Sequence, residues 1–397
     1  MQQEIERRQE YYETSIAGGT VNRPYTDLRT GNFDLLPEFI GPEPGLINPL
    51  PDDASEVEWF LQIFDEDLIR FITRCTNHYA RQRRRANARE RQRSAWTPTT
   101  VVEIRAFIGV MVLFGICWQP EIQLYWSDHV CFGHNFVKRT FSRDRFKLLM
   151  RYLYYSTQPY CARNTAMYTA QKISEKRDRM LKVRNVIDRV NANSRMHRSP
   201  MCELAIDEGV IPYRGRTKNV LYNPAKPHKY GMRVYTLSES ATGYIFNDEV
   251  HQPVADNCHH PLDPDAADDP RVFRGNRPGK VVSRLIRPYY ELGHHVIMDS
   301  YYTSAPLFDH LYVHNIAATG TCRMYTLGLP DEVKNAKNYD PQVVPPDADD
   351  EERWPRGSFS VFQDGAMTVC AWKDTKMVKF MNTAVSARRP NRALVRR

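Results

Sequence analysis

The stretch AIDEGVIPYRGR, residues 205–216, ends a short apolar run at Asp207 and then places two arginines around a glycine. It lies in a region whose composition favours strands, because β-branched and aromatic residues alternate with polar ones. The pattern predicts three strands followed by helix, strand, helix and strand; the segments are MCELAID (201–207), MRVYTLSES (232–240), GYIFNDEV (243–250), KVVSRLIRPYYELG (280–293), HHVIMD (294–299), SAPLFDHLYVHN (304–315) and IAATGTCR (316–323). This order is that of a ribonuclease-H-like α/β core, which we assign to residues 199–325.

Two aspartates end strands of this predicted core. Asp207 ends the first strand and Asp299 ends the strand that follows the first helix. In a ribonuclease-H-like sheet these strands are central neighbours, so the carboxylates would meet at one edge and repel each other unless a cation lay between them. Mg²⁺ prefers such oxygen ligands. Asp207 and Asp299 are therefore the candidate catalytic and metal-binding residues, although ordinary strand ends would give the same pattern.

The charge is distributed unevenly along the 397 residues. Residues 1–70 hold 15 acidic and 5 basic residues, whereas residues 71–200 hold 8 acidic and 25 basic ones. The rest of the chain is nearly neutral. This asymmetry indicates an acidic arm followed by a basic domain suited to nucleic acid.

Residues 56–198 have the apolar spacing of several helices, and we expect an all-α, basic domain there. Ser55 and Glu58 have the spacing of a capping box. TVVEIRAFIGVMVLFGICW (100–118) predicts a mostly buried helix. Its most apolar part, AFIGVMVLFGIC (106–117), is too short to span a bilayer, so we expect no membrane partner. The arginine-rich stretch 81–93 has three interpretations: a solvated helix face, a nuclear localisation patch or a surface that follows DNA phosphates.

The remaining segments complete the expected α+β multidomain architecture. Residues 1–55 are rich in Pro and Gly, and we expect a largely extended or disordered acidic arm. Residues 326–387 predict a small β domain, and residues 388–397 a basic tail. The eight cysteines include no CxxC pair, so the sequence predicts no zinc or redox module, and we expect reduced thiols.

The chain resembles piggyBac-type transposases over roughly residues 56–383, because a set of segments occurs in the family's order. The segments are SAWTPTTVVEIRAFIGVMVLFGICWQPEIQLYWS (94–127), FSRDRFKLLMRYLYYS (141–156), IDEGVIPYRGR (206–216), YNPAKPHKYGMRVYTLSESATGYIF (222–246), VIMDSYYTSAPLFDHLYVHNIAATGTCR (296–323) and MTVCAWKDTKMVKFMNT (367–383). The resemblance implies a DDE nuclease, Mg²⁺ dependence, cut-and-paste DNA transposition and TTAA target preference. It also implies that Asp207 and Asp299 are the first two catalytic acids and that the β unit at 356–383 is the domain inserted into the catalytic core.

The chain departs from the family pattern in its last part. The family's third acid lies beyond the inserted domain, whereas FMNTAVSARRPNRALVRR (380–397) contains no acid, so we expect a C-terminally truncated relative. Asp364 and Asp374 lie on the predicted β unit and are poor substitutes for that acid. Ser300 stands where the family has Asn after the second acid.

The main hypothesis is a transposase-derived nuclear protein that binds double-stranded DNA but lacks complete nuclease activity. The candidate DNA contacts are Arg83, Arg84, Arg85, Arg214, Arg216, Lys226 and Lys229. Two alternatives stay open: an active transposase whose third acid comes from a longer isoform or a partner chain, and a domesticated protein-interaction adaptor. Mg²⁺ is the expected cofactor only if the metal site is retained, and the sequence leaves a homodimer open.

Overall fold

The computed structural model of the chain describes residues 2–18, 23, 26–27, 37–88, 96–158, 178–215, 217, 219–224, 228–252, 269–334, 356–357 and 359–384. The helices are α1 Gln2–Ile16, α2 Glu56–Ile63, α3 Glu66–Ala86, α4 Val101–Ile116, α5 Asn135–Thr140, α6 Arg143–Tyr152, α7 Arg184–His197, α8 Arg277–Ile286, α9 Ala305–Val313 and α10 Asp331–Lys334. The strands are β1 Thr26–Asp27, β2 Gly45–Leu46, β3 Arg198–Ser199, β4 Glu203–Pro212, β5 Val220–Tyr222, β6 Tyr230–Glu239, β7 Ile245–Val250, β8 His295–Met298, β9 Ala317–Thr321, β10 Phe359–Asp364, β11 Met367–Lys373 and β12 Met377–Asn382.

The chain forms two compact units. The helical unit comprises Asn48–His197 and Val254–His260, and the sheet unit comprises Met1–Ile47, Arg198–Pro253 and Pro261–Arg397. Among the described helices, none combines the length and the apolarity that crossing a membrane requires.

The helical unit is built around α3, α4 and α6. The capping box predicted before α2 is confirmed: the main-chain N–H of Ser55 donates to Glu58, and the N–H of Glu58 donates to the Ser55 hydroxyl. Side chains one helical turn apart on α3, including Leu68 and Ile72, pack against residues of α4 and α6 such as Phe107. The unit therefore has its own apolar core.

Helix α4 differs from the prediction of a mostly buried helix. It buries Ile104, Phe107 and Val110, whereas Val102 and Ile116 are about three-quarters exposed. The prediction of a mostly buried helix is wrong for these described residues, because α4 has apolar side chains on all sides but only one side meets the core.

In the described residues the sheet unit contains one large mixed sheet and a two-stranded antiparallel sheet of β2 and β3. In the described residues the strand order is β1-β10-β11-β12-β9-β8-β4-β6-β5, and β7 also pairs with β6. Strand β4 runs antiparallel to β6 and parallel to β8, and β8 runs parallel to β9. The core lies on the face that carries Ile206 and Met298, under α8 and α9.

Two parts of the sheet unit differ from the predicted domain plan. Strands β10–β12, which the sequence assigned to a small separate β domain, continue the main sheet through the pairing of β12 with β9. Residues Gln2–Ile16 form α1, not an extended or disordered arm, and Arg8 and Tyr12 of this helix are buried. Both outcomes depend on contacts with residues far away in the sequence.

Candidate functional site

The two candidate acids lie side by side at the end of the parallel pair β4–β8. The last paired positions are Ile206 and Met298, and Asp207 and Asp299 are the next residues on the two strands. Adjacent strands lie about 4.8 Å apart. Side chains alternate between faces, so the two aspartates leave the sheet opposite the buried Ile206 and Met298, and both are exposed.

Main-chain hydrogen bonds orient both carboxylates. The Oδ1 atom of Asp207 accepts from the N–H of Glu208 at 2.7 Å, and Oδ1 of Asp299 accepts from the N–H of Tyr301 at 2.8 Å. The Thr303 hydroxyl donates to the carbonyl oxygen of Asp299 at 3.0 Å. In the described part of the chain, the second carboxylate oxygen of each aspartate makes no hydrogen bond.

A tyrosine and a glutamate connect the two acid-bearing segments on the core side. The hydroxyl of the fully buried Tyr302 donates to Oε2 of Glu208 at 3.1 Å. Burial and the nearby carboxylate of Glu208 raise the pKa of Tyr302, so its hydroxyl stays protonated and donating. Sequence reasoning missed both residues, although Glu208 directly follows Asp207 and Tyr302 lies three residues after Asp299.

The described residues meet the ligand requirement of Mg²⁺ only in part. Within them, no group of three or more His, Cys, Asp or Glu side chains is placed to hold a metal ion. Mg²⁺ is commonly bound by one or two carboxylates together with water and phosphate oxygens. Asp207 and Asp299 therefore offer two of the oxygen ligands that such an ion would take.

Basic and aromatic side chains surround a cleft at the far end of β4. It is lined by Pro212, Tyr213, Arg214, His228, Lys229 and Tyr230. The register places Pro212 opposite Gly231, which brings Arg214 and Lys229 to the same end of the β4–β6 pair. A Cβ atom at Gly231 would overlap Val210 and Ile211, so this close approach requires glycine. Arg216 and Lys226 lie outside the described residues.

The arginines predicted on α3 have different environments. The guanidinium of Arg83 lies 5.9 Å from the ring centroid of Tyr79 and 5.8 Å from that of Tyr152. Arg83 and Arg84 are half-buried, whereas Arg85 is exposed. The ring contacts of Arg83 indicate that it contributes to the packing of the helical unit, whereas the side chain of Arg85 is exposed to solvent.

Comparisons with known proteins cover residues of both units. A family model described as Transposase IS4 matches residues 55–396. Human PiggyBac transposable element-derived protein 2 is 26% identical over 366 residues, which is 89% of this chain and 52% of that protein. Human PiggyBac transposable element-derived protein 3 is 22% identical over 346 residues, which is 85% of this chain and 50% of that protein. The chain thus spans about half the length of the curated relatives it matches.

A solved structure shares the fold. The piggyBac transposase in a cryo-EM structure of its synaptic complex with hairpin DNA matches with a TM-score of 0.66 and 21% identity, covering 89% of this chain and 66% of that one. This match shows a mixed α+β fold similar to that of the transposase. Because the family model covers most of the sequence, the chain belongs to the Transposase IS4 family and is of the piggyBac type.

Proposed function

We propose that this transposase-derived chain binds double-stranded DNA in the nucleus and that its two carboxylates hold Mg²⁺ against a DNA phosphate. The observation that carries the proposal is the adjacency of Asp207 and Asp299 at the end of β4 and β8. Two exposed carboxylates are poor ligands for an anion by themselves, but they become a phosphate site once a divalent cation neutralises them.

The strand arrangement around these acids supports a ribonuclease-H-like core. Strands β7, β6 and β4 form an antiparallel meander, and β8 and β9 extend it in parallel. In such a core the metal-binding acids stand at the centre of the sheet. The helical unit with its arginines is the second proposed contributor to DNA binding.

Arg214 and Lys229 support the choice of DNA as the ligand. Strand β4 carries Asp207 and ends at Pro212, about 17 Å further along at ~3.4 Å per residue. One hairpin therefore presents both the proposed ion site and a basic end, which suits a polymer whose phosphates repeat along its length. The hairpin DNA in the solved transposase complex agrees with this choice of partner class.

The same geometry favours binding without strand cleavage by these 397 residues alone. Phosphodiester cleavage by two ions requires ligands for both, and the described part of the chain offers two acids at this edge. One ion can be held with water and phosphate, but the second would have too few protein ligands. We therefore propose an incomplete DDE centre.

Fluorescence anisotropy with a labelled 30-base-pair TTAA-containing duplex tests the proposal on the full chain. We expect affinity to fall steeply between 50 and 200 mM salt, because neutralising phosphates releases counterions. The same duplex is then incubated with Mg²⁺ and run on a denaturing gel, where we expect no cleavage.

The other outcomes separate the alternatives. Cleavage by the wild-type chain that Asp207→Asn abolishes would establish an active nuclease and contradict the incomplete centre. An absence of duplex binding at 50 mM salt, with the protein folded, would reject DNA binding and favour the protein-interaction adaptor.

A further inference from the structure

Tyr213 and Tyr230 line the cleft beyond β4 and Tyr222 lies beside Tyr230, so the cleft is bordered by an aromatic surface that duplex binding leaves unexplained. Tyr222 of β5 and Tyr230 of β6 are directly paired across the strands, with ring centroids 4.8 Å apart. Their exposed fractions are 57% and 54%, and that of Tyr213 is 40%. The buried tyrosines of this unit, such as Tyr302, pack in its core, so this exposed trio is not explained by core packing.

The backbone fixes the three tyrosines relative to one another. The N–H of Tyr213 donates to the carbonyl oxygen of Tyr230 at 3.4 Å. The N–H of Asn223 donates to the carbonyl oxygen of Lys229 at 2.7 Å and closes the β5–β6 end. The ring of Tyr213 lies over Gly215, where a Cβ atom would overlap its hydroxyl. Glycine at position 215 therefore leaves space for the exposed ring of Tyr213, in addition to allowing a tight turn.

Basic side chains lie next to these rings in the sequence. Arg214 follows Tyr213, and His228 and Lys229 precede Tyr230, while no acidic side chain is among the described residues that line the cleft. Aromatic faces that alternate with cations bind bases by stacking and phosphates by charge. Duplex DNA offers phosphates to such a surface but hides its base faces in the stack.

We propose, building on the proposed DNA binding, that this cleft binds unpaired DNA nucleotides. Bases stack on Tyr222, Tyr230 and Tyr213, and the phosphates between them contact Arg214 and Lys229. Because β4 also carries Asp207, a strand that leaves a duplex near the paired acids reaches the cleft along the same hairpin. The substrate class is therefore duplex DNA with a single-stranded or opened segment.

Binding of a 5′-labelled dT₁₂ oligonucleotide and of a blunt duplex to the full chain tests this proposal. Tyr222→Leu with Tyr230→Leu removes the ring faces and keeps apolar side chains on the strands. We expect single-strand affinity to fall by at least about 5-fold, the lower bound for the loss of one stacking contact, while duplex affinity changes less than about 2-fold. Tyr222→Phe with Tyr230→Phe retains the rings and should keep wild-type affinity.

A control variant and a second readout distinguish the loss of stacking from misfolding of the variant. Tyr325→Leu removes an 89% exposed ring elsewhere in the sheet unit and should leave both affinities unchanged. With 2-aminopurine in the oligonucleotide, wild type should quench the fluorescence of the base on binding, and the Leu pair should not, because stacking is the source of quenching.

The outcomes distinguish this inference from the function on which it rests. If wild type binds neither DNA, the proposed function fails and this inference fails with it. If wild type binds duplex and the Leu pair binds dT₁₂ normally, or loses duplex and single-strand affinity equally, only the cleft proposal is overturned. Tighter binding of rU₁₂ than of dT₁₂ would also overturn it, because the ligand would then be RNA.

Discussion

The side chains of Arg8 and Asp309 meet at 3.1 Å, although 301 residues separate them in the sequence. Both side chains are fully buried. Arg8 also contacts Glu4 at 2.7 Å and lies 3.7 Å from Asp364, while Arg23 contacts Asp309. Burial disfavours the charge on Arg8, but the three carboxylates outweigh it and raise its pKa. This network attaches α1 to α9, the helix that follows the Asp299 turn.

Arg8→Met should destabilise the sheet unit by about 3–5 kcal/mol, because it leaves carboxylates buried without their cation. Hydrogen exchange of α9 amides in increasing urea would measure the loss. Arg70→Met is the matched control, since Arg70 pairs with Asp67 on an exposed helix surface and should change stability by less than about 1 kcal/mol. Equal effects of the two substitutions would contradict the structural importance of the network.

Acid should destabilise the sheet unit through His310. Burial, together with nearby His314 and Arg287, lowers the pKa of His310 to about 3, and its Nε2 lies 3.1 Å from the Tyr290 hydroxyl. The unfolded chain takes up a proton near pH 6.5 while the folded chain does not, so stability falls as pH drops from about 6.5 towards 3. The contribution is up to about 1.4 kcal/mol per pH unit.

His310→Gln should flatten this dependence, and urea unfolding of both proteins between pH 7 and pH 4 would measure it. The exposed His228 provides the control, because His228→Gln should leave the wild-type slope in place. A His310→Gln variant with the full wild-type slope would show that other groups cause the acid sensitivity.

The adjacency of Asp207 and Asp299 could be predicted because it follows from local signals. Each aspartate ends an apolar run, and the order of strands and helices around them makes their strands neighbours. Helix α1 could not be predicted in this way, since its buried face carries Arg8 and Glu4. A buried arginine has the sequence pattern of an exposed one, and its burial becomes favourable through Glu4 together with Asp309 and Asp364, which lie hundreds of residues away.

The pairing of β10–β12 with the main sheet shows the same limit of prediction from the sequence. Their alternating pattern is identical for a separate β domain and for strands added to an existing sheet. The distinction comes from pairs such as Met381 with Gly320, which join β12 to β9 across a long sequence separation. Helix α4 shows the opposite case. Its apolar sequence predicted burial, but in the described residues only one side of the helix is covered.

Gly320→Ala should disturb the Asp299 turn. A Cβ atom at Gly320 would overlap the hydroxyl of Thr303, which holds the carbonyl oxygen of Asp299. We expect a destabilisation of about 1–3 kcal/mol, as for other overpacked sites, and weaker Mg²⁺ binding by isothermal titration calorimetry. Gly209→Ala is the control, because its Cβ would meet open space beside the same sheet. Unchanged Mg²⁺ binding in Gly320→Ala would show that Thr303 does not position Asp299.

The effect of Asp207→Asn on duplex DNA affinity should change sign when Mg²⁺ is removed. With Mg²⁺, wild type should bind duplex DNA at least about 5-fold more tightly than the variant, because the ion joins carboxylate to phosphate. With EDTA, the variant should bind more tightly than wild type, since a carboxylate that repels phosphate has gone. Anisotropy titrations measure both conditions, and Asp331→Asn, on an exposed helix, should match wild type in each. If the ratio of variant to wild-type duplex affinity is the same with Mg²⁺ and with EDTA, no ion lies between Asp207 and DNA.

Arg214→Met with Lys229→Met should reduce the salt dependence of duplex binding. Each cation that neutralises one phosphate contributes about −0.9 to the slope of log affinity against log salt concentration, so the double variant should have a slope less negative by about 1.8. Anisotropy titrations from 50 to 200 mM salt measure the two slopes. Lys334→Met with Lys376→Met removes the same net charge elsewhere in the sheet unit and separates contact from overall charge. If both double variants change the slope equally, the cleft is not the DNA contact, because only the net charge of the protein would then determine the salt response.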